Sequence, residues 1–137
     1  MSENLDLVRS NFPDWERGES SGVDWADPEI EYVLIGPWTM DGTGLTGMAK
    51  AEREFLSTWE NFRLAAEEYR EIDGGRVLVL HRMSGRGKTS GLDLARIEKG
   101  GAHVFHIRDG KVTRLVAYFD RDRALSDLGL APEAETR

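Results

Sequence analysis

The order of periodicities along the chain predicts an α+β fold in which helices cover one face of a curved antiparallel sheet. Three observations carry it. Met48, Ala51, Phe55, Trp59 and Phe62 recur at helical spacing and form one apolar stripe. After this helix come strand-like runs divided by short turn signals. A short capped helix closes the chain. Helices grouped before a run of hairpin-linked strands give layers, not the strict alternation of a parallel sheet.

The size is that of a single domain spanning residues 1–137, with a frayed tail expected from about 131. Hydrophobic residues make up 39% and charged residues 31%, a globular balance. The formal charge of −7 opposes any role that tracks phosphates, so nucleic acid is not an expected partner. With no cysteine there are no disulfides and no thiolate metal sites. The amino terminus, MSENLDLVRS, has an acidic residue at Glu3 and no apolar core, unlike a signal peptide. No apolar run approaches the roughly 20 residues that span a bilayer, so no membrane partner is expected either. The expectation is a soluble, cytoplasmic protein.

Taken in order, Leu5, Val8, Phe12 and Trp15 mark a first helix, with Ser2 or Asn4 able to cap it. Pro13 should kink or end that helix near Asn11. Residues 16–28 are turn-rich, with room for one short helical turn. Glu29 to Ile35 reads as a strand, and the glycine- and aromatic-rich segment that ends at Gly47 as a loop. The striped helix follows, with Glu52 and its charged neighbours mostly displaced from the stripe. Strands are expected at 63–72, 76–84, 91–98, 103–108 and 111–120, with turns at Asp73, Gly85, Lys99 and Arg108. Asp120 should cap the last helix, Ala124, Leu125 and Leu128 should form its apolar side, and Gly129 should stop it.

Strand alternation decides which side chains can reach the concave face. Phe105, Ile107, Leu115 and Phe119 form the more apolar set, so they are assigned inward together with His103 and Ala117, and His106 outward. Around Arg76 to Met83 both faces are apolar, and burial by helices on one side and a dimer partner on the other is expected there. An inward histidine near a pocket mouth could act as a general base. The structural alternative for His103 is a partly buried histidine bonded to a neighbour. His81 reads as a core or interface residue. Three histidines on separate strands give no metal signature, and neither metal nor cofactor is expected. Asp120 is explained as a cap and Asp109 as the Asp-Gly of a hairpin turn. SGRGKTSG lacks the first glycine of a phosphate loop, that position being Arg82.

The segments NLDLVRSNFPDWERGE and ADPEIEYV, and above all HVFHIRDGKVTRLVAYFDRDRALSDLGL, resemble the SnoaL-like branch of the nuclear transport factor 2-like superfamily, over about Asn4 to Leu130. The resemblance implies a cone-shaped α+β barrel, open at one end, around an apolar pocket. It also implies homodimers through the outer face of the sheet, and activities that include isomerases, polyketide cyclases, epoxide hydrolases and dehydratases, besides proteins that only bind. In limonene epoxide hydrolases the positions of the catalytic residues match Ala117, Arg76 and Leu78, so only an arginine persists. In the cyclases a late-strand histidine matches His103, and the accompanying acid again falls on Ala117. The aspartate of ketosteroid isomerases falls near Trp38 or Met40, with Asp41 displaced.

The leading expectation is therefore a small-molecule-binding protein with a pocket for an apolar ligand, bounded by Trp38, Trp59, Phe105 and Phe119. Its polar features would be His103, Arg76 or Arg82, and Asp41. The alternatives are an isomerase, cyclase or dehydratase with His103 as base and Asp41 or Asp93 as acid partner, and a dimerising structural module with a filled cone.

Overall fold

The computed structural model describes residues 3–16, 24–36, 39–93 and 100–130. In chain order its elements are α1 (Glu3–Glu16), β1 (Ala26–Ile35), β2 (Thr39–Thr43), α2 (Gly44–Ser57), β3 (Trp59–Asp73), β4 (Arg76–Gly87), β5 (Gly101–Arg108), β6 (Lys111–Tyr118) and α3 (Arg121–Asp127). The six strands form one sheet in the order β2-β1-β6-β5-β4-β3. The α+β class and the curved sheet agree with the reading of the sequence. One pairing does not: β1 runs parallel to β6, while the other four neighbours are antiparallel.

The local signals held where short-range chemistry decides. Asp109 and Gly110 both have positive φ, 52° and 77°, as a tight Asp-Gly hairpin turn requires. The side chain of Asp120 accepts the backbone N–H of Asp122 at 3.0 Å, and the Leu130 N–H closes the end of α3 on the carbonyl of Leu125 at 2.8 Å.

Four elements depart from expectation. α1 continues through Pro13 to Glu16; Val8 and Phe12 are buried on one side of it, and that packing outweighs the lost backbone bond. Residues 39–43, expected as loop, pair with β1 from Glu31↔Thr43 to Ile35↔Thr39. Gly42 allows this: a Cβ there would lie within 2.4 Å of the carbonyl oxygen of Gly47, in the first turn of α2. α2 stops at Ser57, because the Ser57 and Thr58 hydroxyls both donate back to the Glu54 carbonyl. Trp59 and Phe62 therefore belong to β3. A register shift between Glu60 and Arg63, with Asn61 at φ 56°, gives that strand the spacing of three that imitates a helix. Of the strand expected at 91–98, Asp93 forms an isolated bridge to Arg86; the part from 94 on lies outside the described residues, as do Trp38, the turn-rich 17–23 and the tail from 131.

The inward assignment of the late strands holds. Phe105, Ile107, Leu115, Ala117 and Phe119 join Val8 and Phe12 of α1 and Met48, Ala51 and Phe55 of α2 in one core. Val77 and Val79 share that side, while Leu78 and Leu80 pack on the opposite face with Val104, Val116 and the α3 residues Ala124 and Leu125. The second apolar face of β4 is thus covered within the chain. None of the described helices is long and apolar enough to cross a membrane.

A candidate pocket on the concave face

Strand register sets the floor of the site. Ala117 on β6 stands between His103 on β5 and Leu34 on β1, and one row along, Leu115 stands between Phe105 and Tyr32. The small side chain at Ala117 leaves the middle of this floor low. α2 roofs it, and between roof and floor is a cavity of about 400 Å³ lined mainly by apolar groups, among them Met48, Phe55, Leu64, Leu115 and Phe119. Exposed Arg53 and Leu56 border it where it meets the surface.

Two histidines share its wall. Nδ1 of His103 lies 2.8 Å from Nε2 of His81, so one nitrogen carries the hydrogen and the other accepts it. His81 is buried at 1% exposure, and Phe12 sets its ring edge-on to His103 at 5.7 Å between centroids. Burial among apolar walls pushes the pKa of His103 down to about 4. His81 lies well below its ordinary value, chiefly through burial and then through His103; a bond to the Ala102 backbone opposes this, and Arg121 adds to it. At neutral pH the pair is uncharged and can accept a proton.

The pair is held from behind. Arg121, the first residue of α3, is 2% exposed; its Nη2 donates to the His81 carbonyl at 2.9 Å and to Oε1 of Glu67 at 2.6 Å. Glu67 also takes Nε of Arg82 at 2.9 Å, and its pKa is lowered, first by the hydrogen bond from Arg121. Gly100 and Gly101 make the space: a Cβ on Gly100 would meet the His81 carbonyl at 2.4 Å, and one on Gly101 would meet Cε1 of His81 at 2.8 Å. Nothing in the run RDRAL distinguishes a buried arginine from a surface one, so Arg121 was not legible.

Glu52 of α2 also lines the cavity, and burial raises its pKa to about 7. Glu52 stands off the apolar stripe of α2, so helical periodicity gives no sign of it. Tyr32 of β1 is buried beside it, its pKa raised by burial and then by the charge of Glu52.

The residues expected to form the site are dispersed. His103 and Phe119 line the cavity. Phe105 is stacked against His103 at 6.1 Å, and Trp59 packs on Phe119 at 6.2 Å, both in a supporting layer. Arg76 pairs with Asp73 in its own hairpin turn, and Arg82 with Glu67. Asp41 is exposed on β2, away from the cavity lining, and Asp93 bridges to Arg86. Neither aspartate is among the residues that line the cavity.

A curved sheet roofed by helices around an apolar cavity defines the nuclear transport factor 2-like cone, and the chain has that fold. Solved structures with this fold include a nuclear transport factor 2-like protein from Burkholderia thailandensis, with a TM-score of 0.71 and 16% identity over 96% of this chain and 100% of that one. A SnoaL-like polyketide cyclase from Jannaschia has a TM-score of 0.65 and 15% identity over 95% and 94%. TerC, solved with polyporic acid, has a TM-score of 0.67 and 25% identity over 93% and 98%. No protein-family model matches the sequence, and no curated protein matches it.

Proposed function

We propose that the chain binds a small, mostly apolar, aromatic molecule in the cavity between α2 and the sheet. The observation that carries this is the combination of a cavity of about 400 Å³, open to the surface at one side, with apolar walls and a hydrogen-bonded histidine pair on one side. Ligand pockets are built in this way, from a large apolar lining and a few convergent polar groups. The crystallisation of TerC with polyporic acid agrees with the reading. The cavity argues against a filled structural cone.

The test is a thermal-shift and calorimetric screen with polyporic acid and related polycyclic phenols, run on the parent and on Ala117→Trp. A ligand at 100 times its Kd adds about 2.7 kcal/mol to stability. Ala117→Trp fills the floor and should abolish the shift. A shift that survives unchanged in a folded Ala117→Trp protein sinks the proposal.

The second reading is an isomerase, cyclase or dehydratase in which His103 takes a proton. Its support is that burial keeps His103 uncharged at neutral pH and that it lines the cavity beside a second histidine. Under this reading His81, not Asp41 or Asp93, is the partner. His103→Gln should then remove turnover and keep ligand affinity within about threefold; an equal loss of both speaks for a binding wall. A homodimer through the outer face of the sheet is proposed on the family resemblance.

A further inference from the structure

Glu52 and Tyr32 make a second polar corner in the cavity, away from the histidines. Among the described residues nothing hydrogen-bonds or ion-pairs with either the Glu52 carboxyl or the Tyr32 hydroxyl. Both nevertheless line the cavity, one from α2 and one from β1, and Tyr32 is only 6% exposed. A buried tyrosine and a half-buried glutamate without protein partners leave hydrogen-bonding capacity at the cavity wall that a ligand oxygen would use. Position sets what that ligand must look like. β6 lies between β1 and β5, with Ala117 between Leu34 and His103 and Leu115 between Tyr32 and Phe105. The Tyr32 strand and the His103 strand are thus two strand spacings apart, about 10 Å.

We infer that the cavity has two polar poles and selects a flat ring system with an oxygen at each end, one end held by the outer ring nitrogen of His103 with His81 behind it, the other by Tyr32 and Glu52, the ring lying over Ala117. The inference rests on the binding function proposed above and names its ligand class. Tyr32 donates its O–H, the Glu52 carboxyl donates or accepts, and the neutral histidine pair can do either. Phenol and quinone-type oxygens fit both poles. A carboxylate at the Glu52 end would set two acidic groups side by side in an apolar wall, which disfavours it.

The experiment compares 2,6-dihydroxynaphthalene, with oxygens at both ends, and 2-naphthol, with one, by calorimetry on the parent, Tyr32→Phe, Glu52→Gln and Ala117→Trp. Both pole substitutions keep side-chain volume, and circular dichroism verifies that each variant folds. The expected result is that Tyr32→Phe and Glu52→Gln each weaken the diol about tenfold but 2-naphthol less than about twofold, since 2-naphthol can turn its one oxygen to the histidines. Binding that Ala117→Trp abolishes, with both ligands indifferent to Tyr32→Phe and Glu52→Gln, overturns the second pole and leaves the pocket standing. Equal losses for both ligands also overturn it. If no aromatic probe, polyporic acid included, binds in an Ala117-dependent way, the pocket reading falls as well.

Discussion

Two ionisable groups in the cavity pull stability in opposite directions with pH. His103 is held at about 4 against an ordinary 6.5, so between those values the unfolded chain binds a proton that the folded chain refuses. Stability is therefore lost as pH falls through that window, and His81, also lowered, adds to the loss. Glu52 is raised from 4.5 to about 7, so the folded chain keeps a proton that the unfolded chain releases, and stability is lost as pH rises through this second window. Each full effect is on the order of 3 kcal/mol. Glu52→Gln should thus stabilise the protein by about 2–3 kcal/mol at pH 8, change little at pH 4.5, and leave a steeper acid-side slope. Urea unfolding at several pH values reads this out, and a uniform offset at every pH contradicts it. His103 could be placed in the site from strand parity alone, because its neighbours Phe105 and Ile107 mark an inward face. Glu52, Arg121 and the His81 partnership could not. Each acquires its role from a residue far along the chain, and its own neighbours in sequence look like those of an ordinary surface or core position.

The elements that were legible are those whose signals are short in range. Asp120 with α3, the Asp109–Gly110 turn and the stripe from Met48 to Phe55 all act within a few residues. The misread boundary of α2 has a definite cause: the Asn61 irregularity moves Phe62 onto the face of Trp59, and three-residue spacing then looks helical. Gly101 supplies the sharpest test at this scale. Its would-be Cβ lies 2.3 Å from the Tyr118 carbonyl oxygen and 2.8 Å from His81. Gly101→Ala should cost about 1–3 kcal/mol and shift the ring resonances of His81 and His103 together, as read by denaturation and histidine-selective NMR. Asp120→Ala should cost about 1 kcal/mol and leave those resonances in place. A Gly101→Ala protein with unchanged stability would show that β5 can slide away from β6, contrary to the register.

For the whole molecule, Leu78, Leu80, Val104 and Val116 on the outer sheet face are already buried in one cluster with Ala124 and Leu125 of α3. A second copy would use the strip that remains, including the half-buried Val33 and Ile35 on β1. Sedimentation velocity should then show a dimer that Val33→Arg disperses into folded monomers; a monomer at every concentration removes the dimer proposal. The parallel pairing of β1 with β6 joins Tyr32 to Leu115 and Ile35 to Tyr118, so strands from opposite ends of the chain are neighbours at the middle of the sheet. Hairpins elsewhere in the sheet can form as the chain emerges, but this seam cannot close until the last strand is available, and long-range pairings of this kind slow folding. A ribosome-bound chain stopped at residue 110 would hold β1, β2 and α2 apart from β3, β4 and β5, with the β6 part of the floor missing and the cavity incomplete. The proposed binding function is acquired only once β6 has been made.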